Sequence, residues 1–249
     1  MISGDFHVHT CFCDGSCTPE EAVLAAIEKG LKKIGLVAHS YVPFDSCCIS
    51  PENVPVFQSE IKRIAEKYRD KISVYCGVEA DFYSEQGLDG FDYLIGSAHY
   101  LRCGGEYPSI DDTPEILRRT VEKFYGGDFY SCAEDYFNTV ARWADRGADM
   151  IGHFDLIKKF SQKIPFDDQN PRYKAAWQSA ADKIISADIP FEINLGGISR
   201  GVQSEPYPSF EIIDYISSKG GSFVLSSDAH SPENIAYEFE KFTYLIKND

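Results

Sequence analysis

A chain of 249 residues, 43% of them hydrophobic, can bury a core as one large α/β domain or two small ones without disulfide staples. Its formal charge of −15 argues against a nucleic-acid-binding surface, because such surfaces are basic. No apolar stretch approaches the length of a membrane span, and Met1-Ile2-Ser3-Gly4-Asp5-Phe6-His7 lacks the charged and apolar regions of a signal peptide, so the sequence reads as cytoplasmic.

In chain order, strand-like runs fall at Ile2–Val8, Lys33–Ala38, Ile72–Val78, Asp92–Ala98, Asp149–Gly152, Ile189–Asn194 and Ser222–Ser226. Helix-like stretches separate them, which predicts an α/β fold with a parallel sheet. Thr18-Pro19-Glu20-Glu21 carries a capping threonine, a proline at the first helical position and a glutamate at the third. Ser50-Pro51-Glu52, Thr113-Pro114-Glu115 and Ser231-Pro232-Glu233 read as helix starts in the same way, and Gly126-Gly127 splits the helical stretch Glu115–Asp145 into two. No linker, low-complexity run or repeat interrupts the chain, so a single domain covering residues 1–249 is expected.

All six histidines fall in patterns that look like metal-ligand sites. His7 and His9 end the first strand, where alternate residues share a face and both imidazoles can reach one ion. His39 ends the second strand, His99 the fourth and His153 the fifth, while Asp228 and His230 follow the seventh. Glu79 follows the third strand, where a buried carboxylate is expensive unless paired or bound to metal. Residues more than two hundred positions apart can meet in one pocket if the strands close into a barrel, because the carboxyl ends of barrel strands build the active site. Asp14-Gly15 alone reads as a turn.

Eight cysteines occur: Cys11, Cys13, Cys17, Cys47, Cys48, Cys76, Cys103 and Cys132. The chain is large for a disulfide scaffold, so they read as reduced thiols. Cys11, Cys13 and Cys17 could serve as thiolate ligands, but no Cys-x-x-Cys pair is present and nearby histidines already supply ligands.

Taken in order, His7-Val8-His9, Asp14, His39, Glu79, His99, His153 and Asp228-Ala229-His230 resemble the polymerase and histidinol phosphatase (PHP) family over nearly the whole chain. The resemblance implies a distorted seven-stranded (β/α) TIM-like barrel holding three divalent metals, with zinc, iron or manganese suited to the ligands. It implies one metal on His7, His9, Glu79 and Asp228, a second on Glu79, His99 and His153, and a third on Asp14, His39 and His230. Within that family the chain is similar to the stand-alone histidinol-phosphate phosphatases, through its length, Gly152-His153-Phe154-Asp155-Leu156-Ile157-Lys158-Lys159-Phe160, and Phe191-Glu192-Ile193-Asn194 with Arg200 shortly after.

A phosphate monoester needs fixed cations for its remaining oxygens, and Arg200, Lys158 and Lys159 are candidates. Glu192 and Asn194 alternate on the sixth strand and could meet a substrate ammonium or imidazole, or make structural hydrogen bonds inside the barrel. The expected chemistry is attack by a metal-bound hydroxide, with Asp155 or the third metal assisting the leaving oxygen, and with Glu79, Asp228 and His230 at the reacting centre. The expected substrate is L-histidinol phosphate. Competing readings are a nucleotide phosphoesterase, an amidohydrolase, whose usual bridging lysine would be replaced here by Glu79, and a metal store without catalysis.

Overall fold

A computed structural model describes residues 4–246. Among these, seven strands form one sheet in chain order: β1 (Gly4–His9), β2 (Lys33–Val37), β3 (Ser73–Asp81), β4 (Tyr93–Ser97), β5 (Met150–Ile151), β6 (Phe191–Asn194) and β7 (Phe223–Ser226). Every neighbouring pair is parallel. The chain just after β7 returns to β1 through a parallel bridge between Val8 and Ala229, with His9 N–H donating to Ala229 O (2.8 Å) and Ala229 N–H to His7 O (3.2 Å). The sheet is thereby a nearly closed seven-stranded barrel, the expected α/β fold.

The helices are α1 (Pro19–Glu28), α2 (Val54–Tyr68), α3 (Pro114–Tyr125), α4 (Phe129–Ala141), α5 (Trp143–Arg146), α6 (Pro171–Ser186), α7 (Gly196–Ser199), α8 (Phe210–Ser218) and α9 (Phe239–Phe242). None among the described residues is long and apolar enough to cross a membrane. The capping box at Thr18 forms: its side chain accepts from Glu21 N, and Glu21 reaches back to Thr18 N (2.8 Å). Thr113 caps α3, and Gly126 ends it in the left-handed conformation that glycine adopts without strain.

Two expected helix starts differ. Ser50–Asn53 closes only a turn, and α2 begins at Val54 after Asn53, with Pro55 in the first turn where its missing N–H costs nothing. After Ser231 the chain makes one 3-10 turn (Pro232–Asn234) and leaves, because Ala236 N–H donates to the buried Asp5 carboxylate (2.9 Å) instead of extending the turn. Two strand ends also differ. β1 runs through His9, and β3 continues to Asp81, so Glu79 lies inside its strand and not after it; Ile2 and Ser3 lie outside the described residues.

Pairing of Asp5 with Ile34 and of Val8 with Leu36 leaves one extra residue in β1. Such a bulge re-aims side chains. Here it lets consecutive Phe6 and His7 both contribute to the barrel interior, Phe6 packing on Tyr93 and on Val37, Ile95 and Met150, and His7 entering the site above. Room for the Tyr93 ring comes from Gly35 and Gly77, where any Cβ would overlap it, and its hydroxyl donates to Phe6 O (2.7 Å). Outside the barrel, α1 and α2 pack on β1–β3, while α3, α4, α6 and α8 share a larger cluster with β3–β6 that includes Trp143, Trp177, Tyr136 and Phe137.

Candidate active site

The carboxyl ends of the strands gather every expected ligand. His7 Nε2 and His9 Nε2 lie 3.0 Å apart. Glu79 Oε2 is 3.2 Å from each, and Asp228 Oδ1 is 3.6 Å from the first and 3.5 Å from the second. Asp228 adopts φ 51°, a conformation that aspartate tolerates better than most side chains but that still stores strain, as is common at functional sites. Gly196 leaves space for the Arg200–Asp228 contact, since a Cβ there would crowd both side chains.

Glu79, only 1% exposed, divides its oxygens between two sets of imidazoles. Oε1 accepts from Ser97 Oγ (2.9 Å) and lies 2.7 Å from His153 Nε2 and 3.2 Å from His99 Nε2. Oε2 lies 3.0 Å from His39 Nδ1, yet no hydrogen bond to it is aligned. Asp14 completes a third corner, with Oδ2 at 3.5 Å from His39 Nε2 and 3.2 Å from His230 Nε2. Three overlapping sets could each hold an ion: His7, His9 and Glu79; His39, Glu79 and His99; and His9, Asp14, His39 and His230. His39 thus belongs to two sets, reaching Glu79 Oε2 through Nδ1 and Asp14 through Nε2, on the opposite Glu79 oxygen from His99 and His153.

The electrostatics match a site built around cations. Burial would depress His7 and His39, but the carboxylates facing them (Glu192, Glu79 and Asp228 for His7; Glu79 and Asp14 for His39) hold both well above the ordinary imidazole value. Burial, aided by His230 and His39, lowers His9 to about 3, so its ring stays neutral with a lone pair available. His99 is raised to about 10, where Glu79 and Asp81 overcome burial. Burial would raise Glu79, yet His7, His39 and His99 keep it well below the carboxylate range. Asp228 is lowered likewise, with Arg200 and His7 outweighing burial.

Four of the candidate contacts stand away from the cleft. Glu192 and Asn194 do not face the cleft; both are fully buried. Glu192 Oε1 lies 2.5 Å from His7 Nδ1 and accepts from Ser226 Oγ, while Oε2 accepts from His153 N (2.8 Å) and from Asn194 Nδ2 (2.9 Å). Strand β6 therefore braces two candidate ligands from behind: Glu192 holds the His7 ring through Nδ1, which orients it and raises its basicity, and holds His153 by its main-chain N–H. Asp155 and Lys158 are buried against each other (3.0 Å), Asp155 also accepting from Ser209 N (3.0 Å) and Lys158 donating to Pro206 O (3.1 Å). Neither lines the cleft, because the 3-10 turn Leu156–Lys158 carries Lys158 back under the loop that follows β6.

Arg200 and Lys159 do line it. Arg200 Nη2 donates to Asp228 Oδ2 (2.9 Å) and Nη1 to Asp228 O (3.0 Å), with its side chain 35% exposed. Lys159 donates to Asp111 O (2.6 Å) and Oδ2 (3.1 Å). The cleft beside the imidazoles measures about 650 Å³ and brings in groups the sequence did not single out: Asp45, Asp111 and Asp112, and the stacked rings of Phe44 and Tyr107, 4.8 Å apart. Their one signal is position, in the loops after β2 and β4 at the carboxyl end of the barrel. All eight cysteines are free thiols; Cys47 and Cys48 line the cleft, and Cys13 Sγ sits 3.3 Å from His9 Nδ1, with burial pushing its thiol above the ordinary value.

The family profile described as the PHP domain matches residues 5–195. The chain belongs to the PHP family. Among curated PHP relatives, the probable histidinol-phosphatase of Deinococcus radiodurans is 31% identical over 250 residues, covering 94% of this chain and 89% of that protein. The histidinol-phosphatase of Bacillus subtilis is 21% identical and covers 97% and 98%. A candidate histidinol phosphatase of Listeria monocytogenes superposes with a TM-score of 0.86 at 23% identity, covering 96% of this chain and 99% of that one. The Lactococcus lactis histidinol phosphate phosphatase, crystallised with zinc, L-histidinol and phosphate, gives a TM-score of 0.73 at 18% identity and covers 98% and 92%. Both structural likenesses establish the PHP barrel. The profile match stops before Arg200, Asp228 and His230, whose place in the site rests on the geometry above.

Proposed function

We propose that this protein is a cytoplasmic histidinol-phosphatase, one catalytic domain that hydrolyses L-histidinol phosphate to L-histidinol and phosphate in histidine biosynthesis. The observation that carries this reading is the buried Glu79 carboxylate ringed by five imidazoles, with Arg200 and Lys159 beside it on the wall of an acidic and aromatic cleft. The whole-length similarity to a probable histidinol-phosphatase supports the substrate.

The residues fit divalent ions. Among the described residues Glu79 Oε2 is buried without an aligned hydrogen-bond donor, and the His7 and His9 nitrogens converge on it with Asp228. Zinc–nitrogen bonds of about 2.0–2.1 Å would put nitrogens on one ion at about this mutual separation. His7, His9, Glu79 and Asp228 would hold one ion; Glu79, His99 and His153 a second; Asp14, His39 and His230 a third, His39 turning its other nitrogen toward Glu79. Zinc, iron or manganese suits this donor set. Bound there, such ions would lower the pKa of water to about 7 and offset the charge of a phosphate group.

The chain's own groups supply the rest. Arg200, held by Asp228, presents its remaining N–H groups to phosphate oxygens, and Lys159 adds a point charge from the opposite loop. Asp45, Asp111 and Asp112 make the cleft attractive to a cationic organic group, and the Phe44 and Tyr107 rings offer a flat face to an imidazole. His230 stands on the open side of the cluster, 3.2 Å from Asp14 and 28% exposed, where a substrate could reach it. No basic surface for a long nucleic acid is expected from the net charge of −15.

Phosphate release from L-histidinol phosphate, adenosine 3′,5′-bisphosphate and an aryl phosphate by the metal-replete protein tests the reading. A kcat/KM for histidinol phosphate higher by about a hundredfold or more, equivalent to about 2.7 kcal/mol of transition-state discrimination, is expected. Equal or lower values would remove the substrate assignment.

A further inference from the structure

The two histidines of β1 are held from behind by different chemistry. His7 Nδ1 is backed by the Glu192 carboxylate at 2.5 Å. Among the described residues, His9 has no carboxylate within hydrogen-bond distance of Nδ1: Asp14 Oδ1 stands at 3.7 Å, too far, while Cys13 Sγ stands at 3.3 Å, an ordinary separation for N–H to sulfur. The Cys13 thiol in turn donates to Thr10 O at 3.6 Å. With the proton on Nδ1, that nitrogen would donate to Sγ and the thiol to Thr10 O, so each donor would meet an acceptor.

The loop is built to present that sulfur. Cys13 N–H and Gly15 N–H both donate to Thr10 O (3.0 and 3.1 Å), Cys11 N–H donates to Cys17 O (2.8 Å), and Ser16 N–H donates to His230 O (2.8 Å). A Cβ at Gly15 would strike the His9 and Thr10 backbone, so glycine there lets the turn close against the strand.

We propose that Cys13 is the positioning residue of His9: it accepts the Nδ1 proton, fixes the tautomer and directs Nε2 toward Glu79 and Asp228 to bind a divalent ion. A neutral thiol is a weaker acceptor than a carboxylate. His9 is therefore a less basic ligand than His7, and the two histidines on one strand donate unequally to the same ion. The inference rests on the metal-binding part of the proposed function and not on the substrate.

The test measures zinc affinity of the full chain by competition with a chromogenic chelator, for the wild type, Cys13→Ala and Cys13→Ser. Cys13→Ala is expected to lose about 10–100-fold in apparent affinity at one site, the usual cost of removing an outer partner of a metal-bound histidine. Cys13→Ser, whose hydroxyl can accept from Nδ1 and donate to Thr10 O, is expected to recover most of that loss. Long-range ¹H–¹⁵N spectra of the histidines in the zinc-loaded wild type should place the His9 proton on Nδ1. Wild-type affinity in Cys13→Ala overturns the proposal. So does a Cys13→Ser variant as weak as Cys13→Ala with native circular dichroism, since sulfur itself would then be the requirement. Where Cys13→Ala fails to fold, the His9 tautomer and the Cys13→Ser affinity decide, and a proton on Nε2 overturns it. A wild type that takes up no zinc overturns this inference through its metal premise, a result read independently of any phosphatase assay.

Discussion

A carboxylate that is 1% exposed and faces His7, His9 and His39 with one oxygen, His99 and His153 with the other, cannot be neutralised without changing every one of those partners. Glu79→Gln keeps the shape and removes the charge. The variant should lose about a hundredfold or more in kcat/KM, equivalent to about 2.7 kcal/mol, together with part of its metal content measured by plasma emission. Full activity with full metal content would remove Glu79 from the centre. The raised imidazoles lead to a pH dependence. Without metal, His7 and His39 hold their protons well above the ordinary value and His99 up to about 10. Those protons are bound at lower pH and must leave before an ion can bind. Zinc affinity should therefore rise from about pH 6 to about pH 9, by up to about tenfold per unit for each proton displaced. A flat profile in chelator competition would contradict the raised values.

The elements place these side chains by small departures from regularity. An extra residue in β1 turns Phe6 and His7 inward together, so one strand both fills the barrel and enters the site. Strand β6 sends Glu192 to His7 Nδ1 and His153 N, tying three strands through one carboxylate. Beneath them Tyr93 fits only because β2 and β3 carry glycine beside its ring. Gly77→Ala should cost about 1–3 kcal/mol through overpacking, read as a lower urea midpoint with an unchanged slope. An unchanged midpoint would mean that the ring moves freely and that the floor of the site is soft.

Across the whole molecule, the open side of the sheet between β7 and β1 is closed by Asp5. Its buried carboxylate accepts from Ser227 N (3.1 Å), Ser227 Oγ and Ala236 N (2.9 Å), and Val8 bridges Ala229 one turn of chain away. The same seam carries Asp228 and His230 to His7 and His9, so ions bound there would join the first strand to the last. Removing them with a chelator should destabilise the fold by mass action. Metal at a hundred times its Kd contributes about 2.7 kcal/mol, and its loss should lower Tm by roughly 5–10 °C in a scanning calorimeter. A Tm insensitive to chelation would mean that the barrel closes on hydrogen bonds alone.

Local chemistry is legible in one dimension. The strand runs, the capping box at Thr18, the break at Gly126 and the placement of each histidine at a strand end all depend on neighbours within a few positions, and the structure carries them with shifts of a residue or two. The seven-stranded barrel followed from the number of potential ligands that had to meet, and it formed. Roles that depend on distant partners were not legible. Glu192 and Asn194 alternate on β6 as substrate contacts would, but the face they present meets His7, 185 positions away, so they became braces. Asp155 and Lys158 read as free groups after β5 until the loop beyond β6 buried them together. Asp111 and the bulge at Phe6 carried no pattern at all, and Cys13 read only as a possible thiolate ligand, not as a partner of His9. The sequence by itself set the candidate ion-binding side chains near strand ends, to within a few residues, because residue type and local periodicity are local properties. Only the closed barrel decided which of them face the cleft and which stand behind it, because that depends on register and burial between segments the chain keeps far apart.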